Sequence, residues 1–417
     1  MATPPSFAKR CSWRIEYLGY RLMIAAMKPL PLEFIDHAGS AAGRLLFHLS
    51  PHYRRLAIRN LRIAYGKEKS LEDIQVLARQ TCERTFANFL GTLKTTILPT
   101  AEIDQHITLS GLTELTQTLE QGKGAILVLG HMGNWEILNR LHQYLPKGVP
   151  AGGIYQPLKN PLVNGHLLKL REQDGSVLFS KREGFHGPAS FVKKGGLLII
   201  VADQKVARSG IPIPFFNRIS ALSQLPSLLA RKAGAPLFAA GIATSRPGHW
   251  HISFEHTPAA DTETIIQALE AQIRNSPTDY LWLHNRWKLI KRHPLDLDVK
   301  KALPIPAHTT ALQVLLLSEK ATDLSVAQAF LAKRPATSLP LQFHHFDSTN
   351  NSSPESLAAQ IQTFDHALCY PLQLIIVSTP NPNLEKAANL SGIPSVRCNQ
   401  KQIPLEAFLA ELSRAHS

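Results

Sequence analysis

The stretch Gly124-Ala-Ile-Leu-Val-Leu-Gly-His131-Met-Gly-Asn-Trp-Glu136 decides how the rest of the chain reads. Ala125 to Leu129 are five apolar residues in succession, the pattern of a strand buried on both faces. Gly130 breaks the run, His131 stands at its carboxyl end, Gly133 permits a tight turn, and Trp135 to Tyr144 read as the helix that follows. In an open α/β sheet ligands gather at the carboxyl ends of strands, so the histidine is delivered to the active edge. On one unbroken helix, His131 and Glu136 would stand about 140° apart, given about 3.6 residues per turn. They meet only if the backbone bends at Met132 and Gly133. An imidazole oriented by a carboxylate is a general base toward a hydroxyl. The plainer alternative makes His131 a helix cap and Glu136 a first-turn acid complementing the helix dipole.

Working outward, helical periodicity runs from Leu71 to Leu93, with Ile74, Leu77, Ala78, Cys82, Phe86, Phe89 and Leu93 on one face. Ile107 to Leu109 read as a strand and Leu112 to Gln121 as a helix feeding the His131 strand. Downstream, a strand ends in the polar turn Tyr155-Gln-Pro-Leu-Lys159-Asn160-Pro161, and Leu167 to Gln173 read as a helix. Val177 to Phe179 run as a strand into Lys181-Arg182. Leu197 to Ala202 is the strongest strand in the chain, closed by Asp203-Gln204. A helix (Leu222 to Ala233), a strand (Pro236 to Ala243) and an alternating stretch (His249 to His256) that reads as an antiparallel edge strand complete the series. The fold class is α/β, a mixed and mostly parallel sheet flanked by helices.

Pro294, Pro304 and Pro306 mark residues 293–309 as a linker. Beyond it, four β/α repeats between Leu312 and Leu412 make a small parallel α/β domain. The expected organisation is therefore 1–70 as basic amphipathic helices, 71–292 as the catalytic domain, 293–309 as linker and 310–417 as a further domain. Ser378-Thr-Pro-Asn-Pro-Asn383 leads into a helix and offers amides to an anion. The alternatives for this domain are scaffolding, partner binding or nucleotide-sugar binding.

The net charge of +14 is unevenly placed. Residues 301–417 hold eight basic and eight acidic side chains, whereas the first 70 hold twelve basic and four acidic. Such a bias attracts polyanions: anionic lipid headgroups, an acidic protein or nucleic acid. The chain has no zinc finger, basic-region heptads or aromatic ribonucleoprotein motif, so nucleic acid is not an expected partner. Arg14, Arg21 and Lys28 recur every seven residues beside Ile15, Leu22, Met23, Ala26 and Met27, which suits a helix lying at a membrane interface. A surface helix packed on its own domain fits the same spacing. No apolar run reaches the roughly 18–20 residues that span a bilayer, and no secretory signal precedes it. The four cysteines (Cys11, Cys82, Cys369, Cys398) lack metal spacing and read as reduced thiols, and no metal is expected.

Several blocks resemble one family in order. Gly130-His-Met-Gly-Asn-Trp-Glu136 resembles the His-x4-Asp/Glu signature of the bacterial lipid A late acyltransferases, whose relatives include phosphatidylinositol mannoside acyltransferases. Tyr155 to Pro161 resembles the family's Tyr-Arg-x3-Asn-Pro block, with Gln156 in place of Arg and Lys159 near enough to stand in. Lys181-Arg182, Asp203-Gln204, the aromatic segment Ser209 to Phe216 and Trp282-Leu-His284-Asn-Arg286-Trp-Lys288 match further blocks; Asn285 replaces an Arg.

The resemblance implies a glycerolipid-acyltransferase-like fold over roughly residues 10–292 and transfer of a fatty acyl chain to a glycolipid hydroxyl, a lipid A precursor foremost. The donor would be acyl carrier protein or coenzyme A thioester, with no cofactor. His131 and Glu136 become the catalytic dyad. Gly133, Asn134, Tyr155, Lys159, Asn160, Lys181, Arg182, Asp203, Gln204, His284 and Arg286 become substrate-binding candidates. Amides around Gly133, or Arg182 or Arg286, would stabilise the oxyanion. The expected partners are an acidic carrier protein and the anionic lipid of the inner membrane's cytoplasmic face, with peripheral attachment. Other acceptors (phosphatidylinositol mannoside, ornithine lipid, lysophospholipid) and a non-catalytic lipid-docking protein remain open.

Overall fold

The computed structural model describes residues 5–172, 175–182, 184–206, 209–300, 303–347, 353–398 and 403–413. In chain order the strands are β1 (Ile107–Ser110), β2 (Ala125–Leu129), β3 (Ala151–Tyr155), β4 (Val177–Ser180), β5 (Leu197–Val201), β6 (Ile211–Phe215), β7 (Arg218–Leu222), β8 (Leu237–Arg246) and β9 (His249–His256). Beyond these come β10 (Leu312–Ser318), β11 (Leu341–Asp347), β12 (Leu372–Val377) and β13 (Ser395–Arg397). The chain forms two compact units, neither of them one continuous stretch. The first comprises Met1–Arg54, Leu77–Gln204 and Ser223–Leu281; the second comprises Arg55–Val76, Lys205–Leu222 and Trp282–Ser417. These limits differ from the breaks expected after residues 70, 292 and 309, because each unit gathers segments remote in sequence that composition does not connect. Residues 301–302 of the expected linker, and Gln173 of the expected helix, lie outside the described residues.

In the first unit a seven-stranded sheet has the order β1-β9-β8-β2-β5-β3-β4. Strands β8, β2, β5, β3 and β4 are mutually parallel, β9 runs antiparallel to β8, and β1 pairs parallel with β9. All five residues of β2 are buried, as a central strand with helices on both faces requires. The alternating His249–His256 strand, expected at an edge, is not one: four residues of β1 pair along its outer side. The helix expected after β2 forms at Trp135–Tyr144 but as a 3₁₀ helix. Asn134 enters it without a side-chain cap, since its amide is used elsewhere, as described below.

Within this unit, helix Leu32–Leu49 lies closely against the portion of helix Leu71–Ile97 from Leu77 onward. Gly39 and Gly43 allow it: a Cβ on Gly43 would collide with the Cys82 carbonyl, and one on Gly39 would stand 2.6 Å from the Ala87 Cα. Arg84 holds the contact by pairing with the buried Asp36 carboxylate at 2.5 Å.

The second unit carries a four-stranded parallel sheet, order β11-β10-β12-β13, and the antiparallel hairpin β6–β7. The alternation of β10 divides its core in two. Leu312, Val314 and Leu316 face a cluster with Ala327, Phe408 and Leu409, whereas Leu315 and Leu317 face Leu357, Ile361 and Leu384. Such two-sided burial is why these strands read as unbroken apolar runs.

Substituting Gly43→Ala inserts a methyl group between two helix backbones. The expected cost is about 1–3 kcal/mol, the range for overpacking, read as a lower urea midpoint of the helical signal. An unchanged midpoint would contradict the close approach.

Candidate active site

The site follows from strand register. β2 and β5 are adjacent and parallel with Leu129 opposite Val201, so the second residue beyond each strand, His131 and Asp203, emerges at the same carboxyl edge. A hydrogen bond from the Ala202 amide to the Leu129 carbonyl (2.9 Å) carries the pairing one step past the strands. His131 Nδ1 donates to Asp203 Oδ1 at 2.6 Å, and the His131 backbone N–H donates to Oδ2 at 3.1 Å. The Tyr280 hydroxyl donates to the same Oδ2 at 2.9 Å. The Asp203 side chain is fully buried, while the imidazole keeps 18% exposure. With its Nδ1 proton held by the carboxylate, His131 turns the Nε2 lone pair outward. There it accepts from the exposed Gln204 amide at 3.1 Å. Trp135 packs its ring edge-on against the imidazole, centroids 5.2 Å apart.

A second strip of backbone clamps the loop that carries His131. Leu281 N–H donates to the His131 carbonyl (2.9 Å), Gly133 N–H donates to the Asp279 carbonyl (2.9 Å), and Met132 bridges Tyr280. The buried Asp279 carboxylate accepts from Asn88, Ser276 and both the amide and hydroxyl of Thr244. Gly133 sits at φ +54°, and a Cβ there would stand 2.6 Å from the Ile242 carbonyl oxygen, so the loop admits only glycine without strain.

The expected His131–Glu136 pair is not formed. Both Glu136 oxygens are taken by Arg171 in a bidentate pair (2.5 and 2.9 Å), and Asn139 donates to one of them at 2.9 Å. The backbone does bend at Met132 and Gly133, but the bend hands His131 to Asp203 and turns Glu136 toward helix Pro161–Glu172. Asp203, expected to hold substrate, is the carboxylate bonded to His131. The Gly133 amide, expected among the oxyanion donors, is bonded to the Asp279 carbonyl. Asn134 is fully buried between Thr92 and Thr95 (2.8 and 3.0 Å), a structural anchor rather than a substrate contact. Asn160 is also buried: it donates to the Trp13 carbonyl and the Glu16 carboxylate (both 2.9 Å) while its oxygen caps helix Pro161–Glu172.

Tyr155 ends β3 and Lys181 follows β4, so both lie on the carboxyl edge with His131. At about 4.8 Å per strand, β4 stands about 14 Å from β2. Lys159, Lys181 and Arg182 are exposed there. His284 and Arg286 belong to the second unit. There the His284 carbonyl accepts from Asn60 (3.0 Å), and the Arg286 guanidinium is buried over the Phe215 ring at 4.8 Å. Their block is not helical: it turns at Trp282 to Trp287, with both tryptophans buried.

Local spacing does not mark Tyr280, Asp279 or Arg171, whose partners stand 35 to 191 positions away. Nor does it mark a grouping of metal-ligand types at Glu33, His106 and His249, whose donor atoms lie within 4.8 Å of one another. That cluster is satisfied internally: His106 Nδ1 meets the Gly248 carbonyl, and His249 meets the Pro247 carbonyl and Arg246.

A family model described as bacterial lipid A biosynthesis acyltransferase matches residues 5–289. A phosphatidylinositol mannoside acyltransferase of Mycolicibacterium smegmatis is 25% identical over 44% of this chain and 64% of its own length. The Escherichia coli lipid A biosynthesis lauroyltransferase is 23% identical over 62% of this chain and 87% of its own, and the palmitoleoyltransferase is 22% identical over 62% and 86%.

Asp203→Asn keeps the shape but no longer fixes the Nδ1–H tautomer. The expected loss in kcat/KM is on the order of 10³–10⁴-fold, the scale of orienting-carboxylate removal. Glu136→Gln leaves the His131–Asp203 pair intact and is expected to cost far less activity while lowering stability through Arg171. Steady-state kinetics on both variants checks this; the reverse ranking would contradict it.

Proposed function

The chain belongs to the bacterial lipid A biosynthesis acyltransferase family, and on that premise we propose that it moves a fatty acyl chain from a thioester to a hydroxyl of a glycolipid, with His131 as general base. The observation that carries the reading is the outward-facing Nε2 of His131, with Nδ1 held on the buried Asp203 carboxylate. The acceptor hydroxyl displaces the Gln204 amide from Nε2 and gives up its proton there. The hydroxyl oxygen attacks the thioester carbonyl, and the imidazolium is stabilised by Asp203. Collapse expels the thiolate, which takes the proton from Nε2, leaving an ester and a free thiol. No covalent acyl-enzyme is needed. The Gln204 amide, freed by the acceptor, then donates to the oxyanion. Removing one such donor costs about 10²–10³ in rate.

Lys181 and Arg182, about 14 Å along the edge by strand spacing, suit a phosphate of the glycolipid or of a carrier's prosthetic arm. A lipid A precursor is the leading acceptor because the family and the Escherichia coli relatives point to it. The mycobacterial relative supports phosphatidylinositol mannoside as the second reading.

Membrane contact is supported by helix Phe7–Met27. Ile15, Leu18 and Leu22 form a stripe 61–73% exposed, flanked by the exposed Arg14 and Arg21. Among the described residues no helix is long and apolar enough to cross a membrane, so the stripe fits docking on an anionic surface, where each basic residue adds about 1 kcal/mol. The double substitution Leu18→Glu with Leu22→Glu is expected to release the protein from anionic vesicles in flotation; undiminished binding would remove this helix from the docking face.

The direct test supplies acyl carrier protein and coenzyme A thioesters with a glycolipid extract and identifies products by mass. A gain of one acyl chain that falls at least 100-fold in folded His131→Ala, the scale of losing a general base, is the expected result. Equal activity in both proteins would move the chemistry away from His131.

A further inference from the structure

The second unit holds a cation that no side chain among the described residues neutralises. Arg218, in β7, is 1% exposed. One of its terminal nitrogens (NH1) donates to the Gln373 side-chain oxygen, and its guanidinium lies 5.8 Å above the Tyr370 ring. Its other two nitrogens, Nε and NH2, are buried without a hydrogen-bond partner. Burial pushes the group down to about 9, yet a guanidinium stays charged at neutral pH. An uncompensated buried charge is strongly destabilising, and Gln373 and Tyr370 supply no formal negative charge.

Arg218 lines a cavity of about 40 Å³, together with Lys205, Lys288, Gln373, Asp296 and Asp298. At roughly 10–15 Å³ per water, this is room for about three waters or one tetrahedral oxyanion. The two acids already have cations: Asp298 acts on Lys205, and Asp296 acts on Arg334. Neither is bonded to Arg218. Lys205 itself donates to the Lys288 carbonyl at 2.8 Å, and burial lowers its pKa.

We propose that this cavity is an anion site whose occupant is a phosphate-class oxyanion held by Arg218 Nε and NH2, with Lys288 at its rim. The site lies wholly within the second unit, and although Arg286 also lines the cavity, the proposed contacts, Arg218 and Lys288, take no part in the acyl-transfer step. The occupant is either free phosphate or the phosphate of a monoester.

The test is isothermal titration of the full-length protein with inorganic phosphate and, separately, with glycerol 3-phosphate, in phosphate-free buffer. One-site binding weakened at least tenfold in Arg218→Met is the expected result. Gln373→Glu guards against misfolding of that variant, because it places a carboxylate on the guanidinium in cis. It is expected to weaken phosphate binding at least tenfold while raising the urea midpoint of the phosphate-free protein. Glycerol 3-phosphate binding with the same Arg218 dependence assigns the site to monoesters, and phosphate binding alone assigns it to the free ion. Absence of binding, binding equal in wild type and both variants, or a Gln373→Glu protein less stable than wild type would overturn the proposal, the last by showing the charge already compensated, as by cavity water shared with Asp296.

Discussion

The active edge depends on one pairing, the parallel register of β2 against β5. Residues 131 and 203 are 72 apart in sequence, and the chain builds β3 and β4 between them. The crossover returns β5 to the side of β2 with Leu129 facing Val201, and from there the two loop residues have no freedom to miss each other. Burial of Asp203 strengthens the contact, since a carboxylate withdrawn from water retains its charge only if its oxygens are hydrogen-bonded. Three donors meet that need: the imidazole, the His131 amide and the Tyr280 hydroxyl. The loop is then held in place by backbone bonds to residues 279 and 281, while the Asp279 carboxylate fixes its own segment to Asn88, Thr244 and Ser276.

Much of this was legible beforehand. The apolar runs named the strands, the breaks after them named His131 and Asp203, and β10 and β12 showed their double burial as continuous hydrophobicity. Strand order was not legible, because an apolar run does not say which other run lies beside it. That gap explains the wrong partner: Glu136 was nearest in sequence, whereas Asp203 was nearest in the sheet. Arg171 holds Glu136 aside, a pairing between two helices remote in sequence, with no local pattern. The same gap made β9 look like an edge, since β1 is only four residues long.

Buried polar groups were the least visible class. Asn134, Asn160, Asp279 and Arg286 are of types usually found on surfaces, and local spacing marks none of them as interior. Two of them, Asn134 and Asn160, match family blocks and are buried in internal bonds, Asn134 to the hydroxyls of Thr92 and Thr95 and Asn160 to the Trp13 carbonyl and Glu16. Arg218 is the extreme case: between Asn217 and Ile219 it reads as a solvated hairpin residue, and only the three-dimensional arrangement reveals a charge without a partner.

The most direct test of the central claim is a double-mutant cycle on kcat/KM for acyl transfer, using His131→Ala, Asp203→Asn and the combination. If Asp203 acts through the imidazole, its substitution costs nothing further once His131 is gone, and the double variant matches His131→Ala. If the two losses multiply, Asp203 acts on the reaction without His131, and the pairing set by β2 and β5 is not the catalytic unit.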